Sequence, residues 1–124
     1  MKTRIIEIQI KSLDDRLNDF VRVAKSIATG KKVEPQKGIY VADVETVRSI
    51  FTEGRFKIIQ VLKSKSPQSI YALANLLERD FKNVYNDVIF LSQLGILKVE
   101  EANTGRNQKK PVLVCDKILF AMAR

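Results

Sequence analysis

The stretch Ser69 to Leu97, SIYALANLLERDFKNVYNDVIFLSQLGIL, constrains the fold more than any other part of the chain. Ser69 offers an N-cap, and Ile70, Leu73, Ala74 and Leu77 follow at the spacing of one buried helical face. Glu78, Arg79 and Asp80 interrupt that pattern for only three residues. Asp80 is placed to accept from the backbone of Lys82 or Asn83 and so start a second helix. Val84, Val88, Leu91 and Leu94 then recur at steps of four, three and three, and Gly95 supplies a left-handed stop, with Ile96 folding back onto Leu91. The spacing therefore predicts two helices joined by a tight turn. Ala74 suits a close crossing, because a small mid-helix side chain lets a neighbouring helix approach.

The segment before this stretch reads as its support. Asp43 caps a short helix carrying Val44, Val47, Ile50 and Phe51. Thr52 caps the next, Glu53 to Lys65, with Phe56, Ile59 and Leu62 on its inward face and Ile58 and Val61 flanking it. Gly54 falls in the first turn, where glycine costs a helix least, and Ser66-Pro67 ends the helix because the residue before proline avoids the helical region. After Gly95, Ile96 to Glu101 reads as a strand, Ala102 to Lys110 as a polar and basic loop, and Pro111 to Cys115 as a second strand. Ile118, Leu119 and Phe120 close the chain as a short strand or a helical turn.

The first 43 residues form a separate strand-helix-strand pattern. Ile6, Ile8 and Ile10 alternate with polar residues, as in a half-buried strand. Ser12 caps a helix with Asp14 and Asp15 in its first turn, and Leu13, Leu17, Phe20, Val21, Ala24, Ile27 and Ala28 make one apolar stripe before Gly30. Residues 31–37 read as a loop, and residues 38–42 as a second strand. Two strands and a helix are marginal alone in water. The stripe therefore calls for another surface, either the second lobe or a second copy of the chain. The expectation is dimerisation through 1–43, with 44–124 as the other lobe.

Charge narrows the partner. The chain of 124 residues carries a formal net charge of +8. Lys and Arg exceed Asp and Glu by nine to seven in residues 1–45 and by thirteen to seven in 46–124, so the excess lies with the paired helices. Such a surface attracts polyanions, nucleic acid first and anionic membrane second. No apolar run reaches the length of a membrane span and no signal-peptide pattern opens the chain, so a cytoplasmic protein without membrane partners is expected. The chain has no His, and its single Cys, Cys115, follows the apolar run Val112 to Val114, which excludes a His/Cys zinc site and suits a buried structural thiol.

The outward face of the second helix presents Lys82, Asn83, Tyr85 and Asn86 near its N-terminus. Lys reaches guanine acceptors, Asn can pair bidentately with adenine, and Tyr can donate to phosphate or lie against a thymine methyl. These four are the candidate base-reading residues. Ser69, Tyr71 and Arg79, with Arg106, Lys109 and Lys110 of the basic hairpin, are the candidate phosphate contacts. Asp87 also points outward on this reading and needs a cation such as Arg79 or Lys82 beside it.

The combination Ser-Ile-x-x-Leu-Ala, Arg-Asp-x-Lys-Asn-Val-x-x-Asp-Val and Leu-x-x-Leu-Gly-Ile-Leu, followed by a basic hairpin, resembles prokaryotic winged helix-turn-helix transcriptional regulators of the broad ArsR- and MarR-like kind. The resemblance covers roughly residues 44–115 and extends to 1–43 by layout alone. It implies an α+β chain: a winged helix-turn-helix domain preceded by a small strand-helix-strand lobe. It further implies double-stranded DNA bound by the Asp80–Leu94 helix and the wing of a homodimer. Metal sensing in such proteins uses Cys and His clusters, which this sequence lacks, and no cofactor is expected. Some relatives look like antitoxins, so the alternative is a protein-interaction module with a co-encoded partner. An enzyme is not expected, because there is no His, no phosphate-binding glycine loop and no activated nucleophile. The acidic neighbours Asp14–Asp15 and Glu100–Glu101 read as a helix start and a strand end.

Overall fold

The computed structural model describes residues 4–30, 39–103 and 107–122 of the chain. The fold is mixed α+β. In chain order it comprises β1 (Ile5–Ile10), α1 (Leu13–Ala28), β2 (Ile39–Val41), α2 (Val44–Ile50), α3 (Glu53–Ser64), α4 (Ile70–Leu77), α5 (Phe81–Gln93), β3 (Leu97–Asn103), β4 (Asn107–Leu113) and β5 (Lys117–Met122). Local chemistry sets the helix starts. Ser12, Asp43, Thr52, Ser69 and Asp80 each accept a backbone N–H from three residues further on, at 2.8–3.3 Å. Each cap satisfies one of the donors that a helix leaves unpaired at its start.

One core organises the chain from Ile58 onward. Ile58, Leu73, Val84, Val88, Leu91 and Ile96 are fully buried, joined by Ile70, Ala74 and Leu97. They come from α3, α4, α5 and the start of the hairpin, so the three helices and β3 share one apolar interior. The inward face of α3 differs from the sequence expectation. Phe56 is half exposed, whereas Ile58 is the buried residue and Arg55 stands one turn before it on the inner side. The helix is rotated because Arg55 has the partly buried carboxylate of Asp87 to meet, a long-range demand that apolar periodicity does not carry.

The hairpin is longer than expected. Residues 102, 103 and 107–110 belong to the ladder, with Glu100 opposite Lys110 and Glu101 opposite Lys109. Opposite charges across a ladder favour pairing, which extends the strands into the basic segment that composition marks as loop.

The three-stranded sheet has the order β2-β1-β5, with β1 parallel to both neighbours. Residues 117–122 thus supply a third strand to the two expected in the first lobe, and the sheet draws on both sides of the expected division at 43/44. Of the two alternatives left by Ile118 to Phe120, the strand is the one realised. Ile8 and Val41 are buried within this sheet, Ile6 and Ile118 pack against the helical core, and Phe120 meets Phe51 edge-on at 5.5 Å between ring centres.

Helix α1 buries none of its residues. Its polar side turns to its own chain, where Lys11 Nζ lies 2.7 Å from Asp19 and the Arg16 guanidinium stands over the Tyr40 ring. The apolar stripe is left open, with Leu13, Leu17, Phe20 and Ile27 more than half exposed.

Two carboxylates are held below the ordinary aspartate range. The hydrogen bond from Lys11 does this for Asp19, and the backbone N–H of Thr46, seconded by its hydroxyl, does it for Asp43. A depressed native pKa stabilises the fold above the unfolded value of about 3.9 and ceases to do so as pH falls through the native value. The urea midpoint is therefore expected to fall below about pH 4. Asp43→Asn, which keeps a capping oxygen but cannot titrate, should shallow that acid limb. An unchanged limb in the variant would remove Asp43 from the account.

Candidate nucleic-acid interface

Helices α4 and α5 meet through a turn without glycine. Glu78 closes α4 in the left-handed conformation at φ 54°, and the N–H of Arg79 returns to the carbonyl of Ala74 at 3.1 Å. A non-glycine residue there costs about 1 kcal/mol. The turn holds because α4 and α5 bury Leu73, Ala74, Val84 and Val88 against each other and against α3. At the far end of α5, Gly95 takes φ +80° and the N–H of Ile96 donates to Leu91, the expected left-handed ending.

This packing fixes which side of α5 faces out. Lys82, Asn83 and Asn86 are exposed together at its N-terminal end. Tyr85 is half-buried, with its ring 5.9 Å from that of Phe81 and Lys109 Nζ 5.8 Å from its centre. Tyr71 of α4 is exposed, with its ring centre 6.1 Å from that of Phe81. The hairpin therefore lies beside the N-terminal half of α5, and Tyr71, Tyr85 and Lys109 share one surface. Phe81, nearly half exposed, joins them. Periodicity did not single it out, because the first residue after a cap belongs to neither the buried stripe nor the polar face.

The other candidates fall differently. Ser69 is half-buried, and its hydroxyl oxygen accepts from Ala72 at 2.9 Å, so it holds α4. Lys110 is half-buried on the hairpin, and Arg106 lies outside the described residues.

Arg79 does not stand with the exposed group. Its Nη2 donates to Asp87 at 2.9 Å, and its Nη1 is shielded from solvent with no partner. Asp87 is likewise turned inward, with its side chain only 17% exposed, which corrects the outward placement. Arg55 supplies its second cation, donating through Nε at 3.1 Å, while Nη1 of Arg55 reaches the carbonyls of Ser49 and Ile50 at 2.9 and 3.1 Å. The Arg55 guanidinium also lies 4.0 Å above the Phe90 ring. One carboxylate thus ties α5 to the start of α3, to the end of α2 and to the turn. Gly54 belongs to the same arrangement, since a Cβ there would stand 3.0 Å from Arg79 Nη1. Sequence reasoning missed Arg55 because its partner is 32 residues away.

Cys115 is half-buried against the carbonyl of Ile96, and burial raises its thiol above the ordinary range, as suits a structural cysteine. Among the described residues no group of three His, Cys, Asp or Glu could hold a metal ion, and no helix is long and apolar enough to cross a membrane.

Two packed helices joined by a tight turn, with a hairpin beside the second, define a helix-turn-helix arrangement in which the N-terminal end of α5 is exposed. The family model HVO_A0114 matches residues 50–120, more than half of the chain, and the chain belongs to that family. Among solved structures it is similar to a MarR-like transcriptional regulator from Thermotoga maritima, at 20% identity and a TM-score of 0.43, over 81% of this chain. The chain spans 65% of the length of that structure. No curated protein matches.

Proposed function

We propose that the chain is a sequence-specific regulator of transcription that binds double-stranded DNA as a winged helix-turn-helix. The observation that carries this reading is the joint exposure of Lys82, Asn83 and Asn86 at the N-terminal end of α5, with Lys109 of the hairpin alongside. That end of a helix enters the major groove in helix-turn-helix proteins, where Asn and Lys match adenine and guanine edges. Tyr71, Lys109 and Lys110 would hold the backbone. The regulator acts by occupancy and needs no chemistry.

The working unit in this reading is a homodimer joined by α1. Leu13, Leu17, Phe20, Ala24 and Ile27 follow at steps of four, three, four and three, the spacing of a helix-helix seam. Asp14 and Asp15 in the first turn and Lys25 in the last favour antiparallel pairing, because each acidic end then meets a basic one.

Selection of bound duplexes from a random pool tests both parts. The expected product is a palindrome with half-sites about one helical turn, roughly 34–36 Å, apart. Asn86→Ala should lower sequence preference more than affinity, and the Lys109→Ala, Lys110→Ala pair should weaken binding to all duplexes and flatten its salt dependence. Equal binding of selected and random duplexes at physiological salt would defeat the proposal. A stoichiometric complex with a co-encoded protein, without duplex binding, would put the interaction-module reading in its place.

A further inference from the structure

Phe81 has no partner in the roles above. It is the first residue of α5, at the end that would approach the groove, and it is 44% exposed. Its neighbours are Tyr71, tilted 46° at 6.1 Å, and Tyr85, tilted 31° at 5.9 Å. Lys109 Nζ closes the row over Tyr85. The two tyrosines cover part of Phe81, and the exposed remainder is hydrocarbon beside the exposed Lys82 and Asn83.

A hydrocarbon pressed into a DNA groove strips water from base edges and returns no hydrogen bond, which is unfavourable against most bases. The exception in the major groove is the C5 methyl of thymine. Stacking of an unpaired base between these rings is a poorer match. A base needs about 3.4 Å on each side, hence roughly 6.8 Å between parallel planes. Here the rings are closer than that and tilted onto one another. The gap between neighbouring rings is therefore too narrow to take a base.

We infer that Phe81 is a specificity-determining residue that reads the 5-methyl group of a thymine in each half-site, with Tyr85 lining the same contact. The inference rests on the proposed DNA-reading role of α5 and adds a feature of the ligand to it. The row gives the chain a preference for thymine over cytosine that needs no hydrogen bond from Phe81.

The test uses the full chain and a duplex recovered from the selection described above. Each thymine is replaced in turn by uracil, which removes the methyl and leaves the hydrogen-bonding edge unchanged, and dissociation constants are read by fluorescence anisotropy. At one position per half-site, uracil should weaken binding about fourfold, the worth of one buried carbon group. Phe81→Ala should bind the thymine and uracil duplexes alike with the salt dependence of the parent. Phe81→Leu, which keeps an apolar edge, should retain part of the discrimination and guards against a folding defect in the alanine variant. Parent binding that ignores every uracil substitution overturns the inference and leaves the DNA-reading proposal standing. Discrimination that persists in Phe81→Ala also overturns it, by assigning the methyl to another residue. Tighter binding to single-stranded oligothymidine than to the duplex overturns it in favour of stacking. Absence of any duplex binding removes both readings together.

Discussion

Leu73→Ala is expected to lower the unfolding free energy by about 2–5 kcal/mol, the range for deleting a large side chain from a packed interior. Leu73 has no exposed surface and lies where α3, α4 and α5 converge, among Ile58, Ile70, Val84 and Val88. Three helices cannot all move in to refill one site, so most of the cavity should persist. Domains of this size are stable by only about 5–15 kcal/mol, and the variant should forfeit a large share of that. Urea unfolding followed by circular dichroism gives the number. Leu17→Ala is the control. Its side chain is 54% exposed on α1, and its removal should leave the midpoint of dilute protein within about 0.5 kcal/mol of the parent. A loss below about 1 kcal/mol at Leu73 would mean that the three helices do not form a single packed interior.

Asp87→Asn should be the second severe change, although it alters almost no volume. The carboxylate receives Arg55 Nε and Arg79 Nη2, one on each oxygen. Neutralising it leaves two guanidiniums facing each other with no anion between them, while Nη1 of Arg79 already lacks a partner. Breaking a buried ion pair from one side costs about 3–5 kcal/mol. The three side chains keep between 17% and 29% exposure, so water screens part of this, and about 2–3 kcal/mol is expected. A double-mutant cycle with Arg55→Met separates the pair from its surroundings. The double variant should recover part of the loss, because the apolar side chain can still lie against Phe90. On the proposed DNA-reading role of α5, duplex affinity should fall in Asp87→Asn without any lost contact to DNA, since the carboxylate ties α5 to α3. A destabilisation under about 0.5 kcal/mol would show the three groups to be solvated surface charges.

The helix plan was legible in the sequence because capping and apolar spacing are local. Ser12, Asp43, Thr52, Ser69 and Asp80 all cap where their side-chain oxygens and the following residues predicted. What escaped was set by distant partners. The rotation of α3 follows from Arg55 reaching Asp87, and a charged residue on an inner face breaks the pattern that periodicity detects. The longer hairpin follows from cross-strand charge pairing that composition reads as a polar loop. At the candidate interface, Lys82, Asn83 and Asn86 were legible as an exposed polar group at a helix start. Phe81 was not, because its surroundings are assembled from α4 and α5 together. The pairing of Arg79 with Asp87 was legible from their spacing, whereas the inward turn of both side chains, which takes Arg79 away from the phosphate contacts, depends on the packing of α3.

The sheet order β2-β1-β5 also sets a sequence of events. The central strand, Ile5–Ile10, lies against Ile39–Val41 on one edge and Lys117–Met122 on the other, with Ile6 opposite Ile118. During synthesis the first strand emerges early and waits for a neighbour that leaves the ribosome more than a hundred residues later. Contacts so far apart in the chain form slowly, because the intervening segment must be ordered before they close. The helical core is local and can assemble first, leaving an isoleucine-rich edge unpaired until the end. A nascent chain arrested before residue 117 should expose that edge to proteases and chaperones, and release of the last strand should protect it.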